Sequence, residues 1–244
     1  MQGLASWKLG FLSKILKFLY PSKCPACNND SSHQFYPFCM TCWDKIMPFN
    51  GHRCSVCSIP LPSHSSICGD CIQNRPFFKS SFIYGLYDGI LKEAIHQLKY
   101  SGLRNLASPL SGLLLELSFP EADLIVPVPP DRYRLKNRGF NHTSLIAREL
   151  SKRLKIPLII DGLIKIKTTP QQINLKREER LKNLRGAFRA IRSFSGQRIL
   201  LVDDVITSGA TASECARALI KAGASEVYLV AIARSAGERE FVCK

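Results

Sequence analysis

Of the 244 residues, 45% are hydrophobic and 22% charged, a balance that supports a packed core and excludes a globally disordered chain. Lys and Arg number 34 against 19 Asp and Glu, for a formal charge of +15, which suits phosphate-bearing partners such as pyrophosphate or a nucleic-acid backbone. The length allows one ordinary domain plus a smaller one, and the absence of a long uncharged apolar run excludes a transmembrane helix.

Leu4, Trp7, Phe11, Ile15 and Phe18 recur at helical spacing and predict an amphipathic helix over residues 1–20. Lys8, Lys14 and Lys17 interrupt it and no small-residue cleavage site follows, which argues against a secretory signal. Docking on the protein's own second domain, docking on a partner and peripheral membrane contact all suit such a helix, and the pattern leaves them open. Residues 21–76 hold eight of the ten cysteines as four Cys-x-x-Cys pairs: Cys24/Cys27, Cys39/Cys42, Cys54/Cys57 and Cys68/Cys71. Two such knuckles close one four-thiolate site, so eight thiolates predict two structural zinc ions in a double zinc ribbon. Sequential pairing is the simpler arrangement, and spacing leaves a cross-braced one open. A disulfide framework competes, but it fits poorly with a chain that lacks a signal peptide. Trp43, Phe49 and Phe35 offer little core, so the metal must supply much of the module's folding energy. His33, His52 and His64 read as surface residues, since the cysteines already complete both sites.

After Arg75-Pro76 the pattern changes, and residues 77–244 predict a second domain. Phe82 to Tyr87 reads as a strand, and Asp88 caps a helix carrying Leu91, Ile95 and Leu98 up to Gly102. A helix through Leu113 to Leu117, a strand from Leu124 to Val128 and a helix from Phe140 to Leu154 follow. Leu158 to Ile166, Arg198 to Asp203 and Val227 to Ala233 read as further strands. This alternation predicts an α/β domain with a doubly wound parallel sheet, whose ligands gather at the carboxyl ends of the strands. Between Pro130 and Ala190, sixteen Lys and Arg face five Asp and Glu, so the basic character concentrates in this half.

Residues 199 to 211 carry the chemistry. Ile199 to Val202 suit a strand buried on both faces, Asp203 and Asp204 follow, and Thr207, Ser208, Gly209, Ala210 and Thr211 lead into a helix ended near Gly223. Backbone N–H groups and the helix dipole favour a phosphate there, while the acidic pair can accept hydrogen bonds from vicinal sugar hydroxyls. No lysine lies between Arg198 and Lys221 and the turn has one glycine, so this is neither a Walker A loop nor a dinucleotide fingerprint.

The run resembles the thirteen-residue phosphoribosyl pyrophosphate (PRPP) motif of type I phosphoribosyltransferases. That resemblance implies their parallel-sheet fold after the zinc ribbon, with Asp203 and Asp204 on the ribose hydroxyls and residues 207 to 211 around the 5′-phosphate. It also implies a pyrophosphate loop at Pro129, Pro130, Asp131 and Arg132, with Arg132 as the charge partner, and Mg²⁺ bound along with PRPP. Thr168 to Arg185 would be a flexible catalytic loop, or else a solvated helix. Over most of the chain the sequence also resembles the ComF family of competence-type proteins. The matching residues are Tyr87-Asp88-Gly89, Ile95-His96-Gln97-Leu98-Lys99-Tyr100, Val126-Pro127-Val128-Pro129, Lys136-Asn137-Arg138-Gly139-Phe140-Asn141 and Thr169-Pro170-Gln171-Gln172. Arg180, Asn183 and Ala187-Phe188 continue the pattern, and His142 stands where relatives often have glutamine.

That resemblance implies a cytoplasmic protein of DNA uptake in natural transformation, acting on single-stranded DNA. Tyr133, Arg134, Lys136 and Arg138 interleave cations with an aromatic beside Phe140, a pattern suited to phosphate contacts and base stacking. Three functions stay open: a phosphoribosyltransferase of unknown acceptor using Asp203, Asp204 and Arg132; a nucleic-acid-binding protein whose phosphoribosyl pocket is a sensor; and a scaffold whose ribbons dock a DNA-uptake helicase or loading protein.

Overall fold

The computed structural model describes residues 23–31, 37–62, 64–131, 139–167 and 183–235. The predicted N-terminal helix, Phe35, His33, Arg132, Tyr133, Arg134, Lys136, Arg138, most of the 168–185 loop and Cys243 lie outside them. The chain divides into two compact units, residues 1–47 and 48–244, so the cysteine-rich stretch 21–76 contributes to both.

Each unit contains the same small device. In the first, the turn after Cys24 closes with Asn28 N–H donating to the Cys24 carbonyl at 2.8 Å, and Asn28 takes a left-handed φ of 59°. Cys39 then opens helix α1 (Met40–Trp43), which brings Cys42 round, while Trp43 packs on Phe38 at 6.1 Å between ring centroids. In the second, Ser58 donates to the Cys54 carbonyl at 2.9 Å with φ 55°, and Cys68 opens helix α2 (Gly69–Gln73) to place Cys71.

The larger unit is built on a four-stranded parallel sheet of β1 (Ser81–Leu86), β2 (Leu124–Pro127), β5 (Arg198–Ile206) and β6 (Glu226–Arg234), in the order β1-β6-β5-β2. Ile199 to Val202 are fully buried, because helices cover both faces of the central strands. Helix α3 (Gly89–Tyr100) starts at Asp88, whose carboxylate accepts the Gly89 N–H at 2.7 Å, and buries Leu91, Ala94, Ile95 and Leu98 at helical spacing. Helix α4 (Ala107–Leu113) tolerates Pro109 in its first turn, where no intrahelical N–H bond is lost, and ends in a 3₁₀ turn at Leu114–Glu116. Helix α5 (His142–Leu154) is capped by Asn141, whose side chain accepts the Thr143 N–H at 3.1 Å, and packs on β2, β5 and α4. Helix α6 (Ala210–Lys221) covers the other face through Ala212, Cys215, Ala216 and Leu219, with Ile220 at its exposed rim.

Two elements differ from expectation. Leu158 to Ile166 is not one strand: Leu158 makes a single parallel bridge to Ile125, and β3 (Leu163–Lys165) turns away to pair antiparallel with β4 (Phe188–Ala190). The break falls at Gly162, where a Cβ would lie 2.9 Å from the Phe194 ring and 3.1 Å from Ile159, so the chain turns at the one residue able to approach so closely. Strand β5 does not stop at Asp203 but continues to Ile206, because β6 pairs with it along its whole length. The acidic pair therefore lies within a strand.

The second ribbon finishes the sheet. Arg53 Nη1 donates to the Ile83 carbonyl at 2.9 Å, Ser58 Oγ to the Ser81 carbonyl at 2.8 Å, and the Phe49 N–H to the Tyr84 carbonyl at 2.9 Å. Main-chain groups along the edge strand β1 are thus satisfied by the ribbon rather than left to pair with another chain. Cys54, Cys57, Cys68 and Cys71 share one buried cluster with Phe78, Ile83 and Ile206. No helix of the described residues is long and apolar enough to cross a membrane.

Candidate phosphoribosyl site and metal centres

The eight cysteines form two tetrads, Cys24, Cys27, Cys39 and Cys42 and then Cys54, Cys57, Cys68 and Cys71, with all sulfur atoms of a tetrad within 4.8 Å of one another. Pairing is sequential, which closes the cross-braced alternative. Zinc–sulfur bonds of about 2.3 Å at tetrahedral angles place sulfurs about 3.8 Å apart. Cys27 and Cys39 are at 3.6 Å and Cys57 and Cys68 at 3.7 Å, so both tetrads fit zinc without rearrangement. Neither His52 nor His64 joins a tetrad. Burial works against the Cys24 thiolate, but N–H groups from Cys39, Ala26 and Cys27 outweigh it and bring its pKa down to about 6. Cys57 is drawn down to about 5, first by its hydrogen bond to Cys71 and further by the Arg234 charge at the end of β6. Four thiolates leave no open coordination position, so these sites are structural.

The second centre of interest lies at the carboxyl end of β5. Consecutive residues of a strand point to opposite faces, so Asp203 and Asp204 part company. Asp204 turns toward α3 and α5. Its Oδ2 accepts from Lys99 Nζ at 2.9 Å and from His142 Nε2, and its Oδ1 accepts the Val205 N–H. Side-chain exposure is 8% for Asp204, 15% for Lys99 and 11% for His142, so the cluster is screened little by water. Burial opposes ionisation of Asp204, yet the Lys99 charge and the His142 hydrogen bond hold its carboxyl well below the usual carboxylate range. Burial likewise opposes the Lys99 ammonium, but the Asp204 charge and hydrogen bond, with Asp203 behind them, hold its pKa above the usual lysine range.

Asp203 turns toward α6. By exposed area it is half-buried, yet protein atoms surround it closely enough that desolvation, followed by the Asp204 charge, pushes its pKa up to about 8. Its Oδ1 accepts the Asp204 N–H at 2.9 Å. Cys215 of α6 is fully buried, and that burial, with the Asp203 charge added, raises its thiol well above the ordinary value. Thr207 is exposed, Ser208, Gly209 and Thr211 half-buried, and Ala210 buried. Gly209 stands at the start of α6 with φ 76°, a conformation that favours glycine, and as the N-cap residue it brings no side chain to the helix. The Ser208 hydroxyl accepts the Ala210 N–H at 3.3 Å. The N–H groups and dipole at the first turn of α6 are of the kind that suits an anion.

Beyond β2, Pro129, Pro130 and Asp131 are half-buried, and Asp131 Oδ2 binds Lys165 Nζ of β3 at 2.7 Å. Phe140 is half-buried beneath the Arg104 guanidinium, 4.6 Å above its ring centroid. Glu214 of α6 binds Arg217 at 2.6 Å and accepts the Gly186 N–H at 2.9 Å, which fastens the end of the 168–185 segment to α6.

Lys99 and His142, which meet Asp204, and Lys165, which meets Asp131, had no site role assigned from the sequence, although Lys99 and His142 were named among the residues of the ComF resemblance. A lysine beside Leu98 on the apolar side of α3 was the available signal for Lys99, and a histidine next to the α5 cap was a weaker one for His142. Nothing local marks Lys165.

Two tetrathiolate ribbons and a parallel sheet ending in an acidic pair and a glycine-led helix define a zinc-ribbon protein of the type I phosphoribosyltransferase fold. Residues 15–72 match the double zinc ribbon domain family and residues 142–243 the phosphoribosyl transferase domain family. Over 204 residues, covering 78% of this chain and 86% of the relative, the sequence is 32% identical to Competence protein F of Haemophilus influenzae. It is 30% identical to the DNA utilization protein YhgH of Escherichia coli K12, covering 88% of this chain and 98% of that protein. The chain belongs to the Competence protein F family, together with these relatives. Glutamine PRPP amidotransferase from B. subtilis is 26% identical over 53% of this chain and 26% of that one, with a TM-score of 0.38.

Proposed function

We propose that this protein binds PRPP, or a related phosphoribosyl ligand, at the carboxyl end of β5 and acts on single-stranded DNA during uptake. The observation that carries the reading is Asp203 and Asp204 near the end of β5, followed after a short turn by the glycine-led N-terminus of α6. The 5′-phosphate would rest on residues 207 to 211, and the sugar hydroxyls would face the acidic pair. Pro129, Pro130, Asp131 and Arg132 would flank the pyrophosphate, with Lys165 close behind Asp131. Mg²⁺, held by the ligand's own oxygens, would supply charge neutralisation there. The relatives' names, competence and DNA utilization, support the second half of the reading. Tyr133, Arg134, Lys136 and Arg138 are the proposed DNA contacts, and a cytoplasmic location goes with this role.

Calorimetry with PRPP and Mg²⁺ tests the ligand. Binding in the micromolar range by the wild type, abolished in the Asp203→Ala/Asp204→Ala protein, is expected; equal binding by both would sink the assignment. Pyrophosphate release with a panel of acceptors separates a phosphoribosyltransferase from a sensor that binds without turnover. A steep fall of single-stranded DNA affinity with salt, flattened by charge removal at Arg134, Lys136 and Arg138, tests the DNA role.

A further inference from the structure

We infer that the exposed face of helix α3, from Lys92 through His96 and Tyr100 and on to Arg104, is a stacking platform for unpaired DNA bases, in addition to the proposed contacts at 133–138. The inference rests on the single-stranded DNA half of the proposed function and goes beyond it by assigning the surface on which bases stack.

Lys92, His96 and Tyr100 stand four residues apart on α3, so they fall in one row along the helix. Leu91, Ala94, Ile95 and Leu98 bury the other side, while all three residues of the row are exposed, Tyr100 at 61%. The His96 and Tyr100 rings lie against each other, 4.6 Å between centroids and 39° between planes. Cations flank them. Lys92 Nζ sits 6.0 Å from the centroid of the Tyr87 ring at the head of the helix. Beyond Gly102, the exposed Arg104 guanidinium lies 4.6 Å above the Phe140 ring, on a 3₁₀ turn (Arg104–Leu106) that packs on α3. The acids of α3 are turned to other work: Asp88 caps the helix, and Glu93 accepts from Gln97 Nε2 at 2.7 Å.

From Lys92 to Tyr100 the row runs about 12 Å, the rise of three to four stacked nucleotides at about 3.4 Å each. Ring faces and an arginine plane stack on any base, and the cations beside them meet phosphates. A duplex offers only base edges to a protein surface, so such a platform selects single strands. Lys99 of the same helix binds Asp204 at 2.9 Å, which fixes the platform to the strand β5. Phe140 follows the 133–138 segment in the chain, so the platform extends the contacts proposed there.

Fluorescence anisotropy of the full zinc-loaded chain with a labelled oligothymidylate, and with a duplex as control, tests this. His96→Ala/Tyr100→Ala, checked for fold by circular dichroism, should weaken oligothymidylate binding at least about fivefold and leave duplex binding within about twofold of the wild type. Tyr100→Phe keeps the ring face and should keep the wild-type affinity. Tyr100→Ala should leave the slope of log affinity on log salt unchanged, whereas Lys92→Gln/Arg104→Gln should reduce it by about 1.4, or about 0.7 for each cation. Wild-type affinity in the His96→Ala/Tyr100→Ala protein, an equal loss on single strand and duplex, or a Tyr100→Phe protein as weak as Tyr100→Ala overturns the inference. The DNA reading survives those outcomes where charge removal at Arg134, Lys136 and Arg138 still flattens the salt dependence. Failure of the wild type to bind oligothymidylate overturns that reading, and this inference with it.

Discussion

Replacing Lys99 with methionine removes a buried cation while keeping most of its volume, and it exposes how much of the larger unit depends on Asp204. Lys99 Nζ lies 2.9 Å from Asp204 Oδ2, and the two side chains are 15% and 8% exposed, so solvent screens the pair little. Removing one partner of such a pair commonly costs about 3–5 kcal/mol, because the remaining charge stays buried. His142 Nε2 still donates to the same oxygen, so the loss is partial, on the order of 2 kcal/mol. For a unit of this size that corresponds to about 4–8 °C in Tm by differential scanning calorimetry. The sign with pH follows from both partners. Asp204 is depressed in the folded state, so its contribution is present above its unfolded pKa of 3.8 and is lost as pH falls through the folded value. Lys99 is raised, so its contribution is present below 10.5 and is lost as pH rises through the folded value. The Lys99→Met deficit should therefore hold steady from weakly acid to weakly alkaline pH. Lys99→Met/Asp204→Asn should recover much of it, since no buried charge is then left without its cation. A single variant as stable as the wild type, or a double variant worse than the single, refutes the reasoning.

Asp203 makes the opposite pH prediction. Its folded pKa of about 8 lies above the 3.8 of the unfolded chain, so the folded state holds that proton more tightly and the group's contribution falls as pH rises between the two values. Asp203→Asn, which keeps an oxygen for the Asp204 N–H, should match the wild type in Tm below pH 3.8, gain on it as pH rises from 3.8 to about 8 and hold a constant advantage above; a gap that narrows with rising pH contradicts this. Native mass spectrometry should find two zinc ions per chain. Cys68→Ser should lose one and lower the Tm of the larger unit, because that ribbon covers β1 through Arg53, Ser58 and Phe49. Gly209→Ala forces a side chain into φ 76° at the head of α6 and should cost about 1–2 kcal/mol, read as a lower denaturant midpoint, together with weaker phosphate-ligand binding. Unchanged values in both measurements would show that the loop relaxes freely.

Much of this molecule is legible locally. Cys-x-x-Cys knuckles announce tetrathiolate sites because chelation depends on spacing within a few residues. The helices at 89–100, 142–154 and 210–221 announce themselves through caps and apolar periodicity, which are properties of single turns. The turn that leads through Gly209 into the helix at 210–221 is legible for the same reason. Misreadings arose where neighbours in space decide. Leu158 to Ile166 has a strand's composition, yet Phe194, packed against Gly162, forces the turn that splits it. The end of β5 is set by its pairing with β6, not by the arrival of two aspartates.

What the sequence by itself determined is the inventory: two four-thiolate sites, an alternating α/β unit, and an acidic pair leading into a glycine-headed helix. Only the tertiary structure decided what each aspartate meets. Strand alternation sends Asp204 to Lys99 and His142, residues from two helices far upstream, and leaves Asp203 beside α6. The physical reason is range: chelation, capping and periodicity act within a few residues, whereas a buried charge takes its partners from whatever elements the sheet order brings against it.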